Sequence, residues 1–141
     1  MLQITKIFRF EMAHAIYSYA GSCKNIHGHS YILHVTVTGG TDKDNFIPAP
    51  GFIFDFKNLK QIVKDTVINK LDHQLVLSNE YLKLNTALIS AENIFAWEIE
   101  PTAENILIYI KQNLQLALPK EIKLKRLKLF ETADSYAEWV A

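Results

Sequence analysis

Three of the five histidines in this chain of 141 residues stand where a metal ion would need them. His27 and His29 are two residues apart in a stretch that reads as a strand, so both imidazoles emerge from one face. His14 closes the apolar-facing parity of the strand-like stretch before it, and pairing of the two through the intervening turn brings three imidazoles together. Gly28, between the pair, leaves room for close approach of a ligand or another backbone. Three neutral nitrogen ligands suit zinc, and an open fourth position belongs to a catalytic centre rather than a structural one. Two strand histidines satisfied by hydrogen bonds, with His14 unrelated, would show the same spacing, and spacing alone leaves both readings open.

Other residues could add chemistry. Cys23, the single cysteine, lies in the polar run Cys23-Lys24-Asn25-Ile26-His27. Most lone cysteines are small buried hydrophobes, but a neighbouring lysine and a cation a few residues away would favour a thiolate. Glu131 ends an apolar strand on the parity of Leu127 and Leu129. It is either an edge residue in water or an inward carboxylate wanting a buried partner, such as the amino-pyrimidine edge of a ligand. Asp72 beside His73 is either a local surface feature or an orienting pair that fixes the imidazole tautomer. His34 has the opposite parity to His27 and His29 and reads as an ordinary face residue.

These side chains need elements to hold them. Residues 7–17 alternate as a strand, with Phe8, Phe10, Met12 and His14 on one parity. A turn at Tyr19-Ala20-Gly21-Ser22 leads to a long second strand over 27–38, ended by Gly39-Gly40-Thr41-Asp42, and residues 41–50 form a loop. A short strand is expected at 51–54, then a helix capped by Asp55 and carrying Leu59, Ile62, Val63, Thr66 and Val67 at helical spacing. Residues 95–99 alternate as a strand. A second helix starts near Thr102, buries Ile106, Leu107, Ile110 and Leu114, and stops at Pro119. Residues 122–131 and 136–140 complete the set, with a bulge near Lys125 and Arg126. The expected architecture is α+β: an antiparallel sheet with two helices packed on one face.

Length and composition fit one domain spanning 1–141. The chain is 49% hydrophobic, and its 15 basic and 15 acidic residues cancel. That balance gives no footprint for nucleic acid or an anionic membrane surface. One cysteine allows no intrachain disulfide, the first residues do not read as a secretory signal, and no apolar stretch approaches the length of a membrane span. A cytoplasmic protein is expected, and zero net charge leaves little repulsion against self-association.

Taken together, the motifs resemble one family. Phe10-Glu11-Met12-Ala13-His14, Cys23 through Tyr31 with its His27-Gly28-His29 core, Gly51-Phe52-Ile53-Phe54-Asp55-Phe56, Leu71-Asp72-His73, Pro101-Thr102-Ala103-Glu104-Asn105 and Glu131-Thr132 occur in the order found in 6-pyruvoyltetrahydropterin and 6-carboxytetrahydropterin synthases. They span nearly the whole chain. The resemblance implies the tunnelling fold, in which sheets from several subunits join into a barrel, and a homohexamer of two trimers with active sites between subunits. It implies zinc on His14, His27 and His29, Cys23 as the proton-abstracting base assisted by Asp72 and His73, and Glu131 anchoring the pterin ring with help from Thr102.

The three residues between Cys23 and His27 resemble the carboxy branch of queuosine biosynthesis, since the pyruvoyl branch usually carries a longer spacer. The reaction so implied converts 7,8-dihydroneopterin triphosphate to 6-carboxy-5,6,7,8-tetrahydropterin, releasing acetaldehyde and triphosphate. The alternatives are the pyruvoyl synthase, which eliminates triphosphate without carbon–carbon cleavage, and a pterin- or purine-binding module without catalysis. A zinc hydrolase would want a carboxylate base near the metal, and Glu11 has the wrong parity for it. Residues 74–100 are longer than in the shorter relatives and are expected to add a strand or flap.

Overall fold

The computed structural model describes residues 1–39 and 45–141, so most of the turn expected at 39–42 and the first part of the loop expected at 41–50 lie outside the described residues. Six strands form one sheet in the order β4-β3-β1-β2-β5-β6. They are β1 (Ile4–His14), β2 (His27–Gly39), β3 (Gln74–Ser78), β4 (Ile94–Trp97), β5 (Ile122–Thr132) and β6 (Ser135–Val140). β1, β2, β5 and β6 pair antiparallel, as their alternation predicts. The sheet as a whole is mixed rather than antiparallel, because β3 runs parallel to both β1 and β4. Within one chain it stays open and does not close into a barrel.

Alternation fixes which face each strand buries. Phe8, Phe10, Met12 and His14 of β1 and Tyr31, Leu33, Val35 and Val37 of β2 point to the same side and are buried. The bulge falls where the alternation slips: Thr36 pairs with Arg126 and Val37 with Leu124, leaving Lys125 as the extra residue. That slip keeps Leu124, Leu127 and Leu129 all buried.

Two helical segments cover this face. α1 (Phe56–Val63) starts where the Asp55 side chain accepts from Lys57 N at 2.8 Å. It continues through a π-helical turn (Lys64–Ile68) into α2 (Asn69–Leu71), placing Leu59, Val63, Val67, Ile68 and Leu71 against the sheet. α4 (Ala103–Ala117) is capped by Thr102, whose hydroxyl accepts from Asn105 N at 3.2 Å, and buries Ile106, Leu107, Ile110 and Leu114. Leu118 and Pro119 follow its last turn.

Three expectations need correction. Residues 51–54 form no strand: Gly51 N donates to the Pro48 carbonyl at 2.8 Å and Gly51 has φ +88°, so the backbone turns there. β3 and the short helix α3 (Asn79–Leu84) come from 74–84, where no strand or helix is expected from the alternation. Helices also occupy both faces. Val76 joins the main core while Leu75 and Leu77 pack with Leu82 of α3, and adjacent strand residues face opposite ways. The strand expected at 95–99 is present as β4 and forms one edge of the sheet.

Leu127 is fully buried between sheet and helices. Leu127→Ala is expected to lower unfolding stability by about 2–5 kcal/mol in urea titrations. A loss below about 1 kcal/mol would mean the core is not packed as described.

Candidate functional site

The register of β1 and β2 assembles the histidines. His14 pairs directly with His27, and Met12 with His29, so all three imidazoles project from the strand ends on the buried face. Ring centroids are 4.6 Å apart for His14–His27, 5.0 Å for His27–His29 and 5.3 Å for His14–His29. One potential ligand atom from each lies within 4.8 Å of the others. A Cβ on Gly28 would come no closer than 3.4 Å to the Met12 carbonyl, an ordinary contact, so packing within the chain does not demand glycine there.

Hydrogen bonds decide which nitrogens are available. His14 Nδ1 lies 2.6 Å from the Pro101 carbonyl, and His27 Nδ1 lies 2.7 Å from the Asn25 carbonyl. A carbonyl oxygen only accepts, so each Nδ1 carries the proton and each neutral ring has its lone pair on Nε2. Those two Nε2 atoms face each other at 3.0 Å. Burial, the largest influence, holds His14 below its ordinary pKa, and the neighbouring His27 and His29 add to that. The Pro101 hydrogen bond and the Glu131 carboxylate pull the other way. His29 Nε2 is itself buried without a hydrogen-bond partner among the described residues. Converging lone pairs without a donor suit an electron-pair acceptor, and the donor set of three imidazoles fits zinc.

Glu131 enters from β5 on the same face. Its carboxylate oxygens lie 4.0 Å from His14 Nε2 and 3.8 Å from His29 Nε2. Cys23 sits in a 3-10 turn (Ser22–Lys24) that is tied back to the end of β1 by Ile16 N donating to the Cys23 carbonyl at 2.8 Å. A cavity of about 430 Å³ brings Cys23, His14 and Glu131 together with Thr102, Glu104 and Tyr136. That volume suits a small organic ligand.

Asp72 and His73 lie elsewhere. Asp72 Oδ1 accepts from Glu11 N at 2.9 Å and lies 3.0 Å from His73 Nδ1, which orients the imidazole. The His73 backbone has φ +62° and its N–H donates to the Glu11 carbonyl at 2.6 Å. Its exposed ring lines a second depression with Glu11, Gly28, His29 and Ser30, not the cavity that Cys23 lines. Within one chain the structure therefore does not bring the Asp72–His73 pair to Cys23. His34, on the other face, is half-buried against Phe130 with ring centroids 5.3 Å apart. Glu11 also points away from the histidines and accepts from the Ser30 hydroxyl at 2.7 Å.

Several supporting groups were not anticipated. The Pro101 and Asn25 carbonyls are main-chain atoms and leave no side-chain signature. Glu100 knits the surroundings, accepting from Tyr17 N and from the Ser78 hydroxyl at 3.1 Å each. Its carbonyl accepts from the Asn105 side chain at 2.9 Å. Its only sequence signal is a charge directly before the Pro101-Thr102 helix start.

His27→Ala is expected to abolish stoichiometric zinc binding measured by elemental analysis after dialysis. His34→Ala, on the opposite face, should retain one ion per chain. Retention of that ion by His27→Ala would disprove the three-histidine assignment.

Comparisons with known proteins bear on the family and the fold. The family model described as 6-pyruvoyl tetrahydropterin synthase matches residues 3–141. The chain is 32% identical over 143 aligned residues to the 6-carboxy-5,6,7,8-tetrahydropterin synthase of Haemophilus influenzae, covering 99% of each. It is 33% identical over 122 residues to the dihydroneopterin monophosphate aldolase of Pyrococcus furiosus, covering 86% of this chain and 82% of the relative. The solved Caenorhabditis elegans 6-pyruvoyl tetrahydropterin synthase superposes with a TM-score of 0.70 at 20% identity, over 99% of this chain and 95% of that one. At that identity the superposition speaks for the fold alone.

Proposed function

This chain belongs to the 6-pyruvoyl tetrahydropterin synthase family, and from that premise we infer that it is a zinc-dependent lyase acting on 7,8-dihydroneopterin triphosphate. Its products are 6-carboxy-5,6,7,8-tetrahydropterin, acetaldehyde and triphosphate, the carboxylated pterin serving queuosine biosynthesis. The single observation that carries the chemistry is the cluster of three imidazoles whose member His14 shares one cavity with Glu131 and Cys23. The carboxy branch is favoured by the short Cys23–His27 spacer and by end-to-end similarity to the Haemophilus influenzae enzyme.

The roles follow from position. His14, His27 and His29 hold the metal through Nε2, with His14 and His27 kept in the right tautomer by the Pro101 and Asn25 carbonyls. Zinc bound there would supply a Lewis acid to polarise the substrate's side-chain oxygens and so acidify the adjoining C–H bonds. Cys23 Sγ, on the wall of the same cavity, takes the proton from the side-chain carbon. Glu131 accepts from the paired N–H donors of the amino-pyrimidine edge, with Thr102 beside it. The ring gains two electrons at the expense of the side chain, and one water is consumed as the carbon–carbon bond breaks to give the carboxyl group and acetaldehyde.

The Asp72–His73 pair serves a Cys23 across a subunit boundary, since its own chain holds it at a different depression. Asp72 at Nδ1 leaves Nε2 of His73 free to receive a proton there. This reading makes the working unit an oligomer, a homohexamer of two trimers, located in the cytoplasm.

Product analysis by mass spectrometry after incubation with dihydroneopterin triphosphate tests the function. The carboxytetrahydropterin with acetaldehyde is expected. The pyruvoyl product would assign the other branch, an aldol fragment with an unreduced ring would point to the activity named for the Pyrococcus furiosus relative, and no turnover by zinc-loaded protein would leave a binding module. Cys23→Ala is expected to lose at least about a hundredfold in turnover while keeping its zinc. Undiminished product formation by that variant would remove Cys23 from the mechanism.

A further inference from the structure

Tyr31 stands next to His29 in the row of buried residues on β2, and nothing above gives its hydroxyl a role. The residue is fully buried, and its hydroxyl has no hydrogen-bond partner among the described residues. The ring cannot swing out to find one. It stacks on Phe10 at 5.1 Å with the planes 8° apart, and packs edge-on against His29 at 5.5 Å and His14 at 6.3 Å. An unpaired hydroxyl in such a place is unfavourable unless another state of the protein supplies its partner.

A carboxylate stands on the neighbouring strand. Ile32 pairs with Phe130 across β2 and β5, so one step along the register sets Tyr31 beside Glu131 on the same face. A phenol hydroxyl is protonated at physiological pH and can donate, and a carboxylate only accepts. Glu131 now faces His14 Nε2 at 4.0 Å and His29 Nε2 at 3.8 Å, and against His14, whose Nδ1 carries the proton, acceptor meets acceptor. A cation on the three imidazoles would draw that carboxylate inward as a fourth ligand, and a glutamate so engaged could no longer hold an amino-pyrimidine.

We propose that Tyr31 is a positioning residue: in the metal-loaded protein its hydroxyl donates to the Glu131 carboxylate, holding it off the metal and turned toward the cavity. The proposal rests on the pterin reading for the purpose Glu131 serves, but the contest between phenol and metal for one carboxylate does not depend on which ligand follows.

Cobalt(II) in place of zinc makes the coordination visible. Tyr31→Phe is expected to melt, metal-free, at or above the temperature of the unaltered protein, because it removes an unpaired buried hydroxyl and keeps the Phe10 stack. Its cobalt absorption bands should shift as Glu131 ligates, and adding Glu131→Gln should return them to the original positions. Neopterin affinity, followed by fluorescence, should weaken about tenfold. Identical cobalt bands in Tyr31→Phe and unaltered protein would overturn the proposal, as would a band shift that survives Glu131→Gln. If the unaltered protein takes up cobalt but no neopterin, the pterin reading falls, while the cobalt comparison still decides the role of Tyr31.

Discussion

Two backbone carbonyls govern the site. By taking the Nδ1 protons of His14 and His27, the Pro101 and Asn25 oxygens leave lone pairs on two Nε2 atoms that face each other at 3.0 Å. Without those acceptors either ring could adopt the other tautomer, and the cluster could relax into a simple imidazole–imidazole hydrogen bond. Much of the surrounding structure maintains this condition. Thr102 caps α4 one residue after Pro101, Asn105 holds the Glu100 carbonyl, and the Glu100 carboxylate ties Tyr17 and Ser78 to the same segment. The end of α4 that begins the cavity wall is thus also the frame that sets the protonation of a ligand.

How far the site could be read from sequence depended on whether a residue's role followed from local periodicity. A two-residue spacing puts His27 and His29 on one face in any strand, and the parity of Phe8, Phe10 and Met12 carries His14 to the same side. Glu131 shares the parity of Leu127 and Leu129, but at a strand end that parity leaves an edge residue in water and an inward carboxylate equally open. The metal-like cluster was therefore legible, whereas its hydrogen-bonding frame was not, since a main-chain oxygen from a segment 87 residues away has no pattern to betray it. Adjacency made Asp72 and His73 a readable pair, but which cavity they face is a matter of tertiary placement.

The fold shows the same division. Strands with one buried face alternate and were found, and so was the bulge at Lys125, because an extra residue breaks the alternation. β3 escaped notice because it has apolar neighbours on both sides: Val76 against the main core, Leu75 and Leu77 against α3. A strand covered on both faces has no alternation to display. In 51–54 strand-favouring residues form no strand, following directly on a turn that Gly51 closes on Pro48.

The three imidazoles all belong to the β1–β2 hairpin, while Glu131, Thr102 and the Pro101 carbonyl arrive from the far half of the chain. Ion capture and ligand capture therefore belong to different stages of chain organisation. A cation seated at the strand ends closes only the short 15–26 connection, although the Pro101 carbonyl that fixes the His14 tautomer comes from 87 residues away. The surface that recognises an organic molecule exists only after β5 has docked along β2 and α4 has settled across both. An ion at the strand ends would act as a clasp on the hairpin, while the cavity depends on strands and a helix brought together from across the chain.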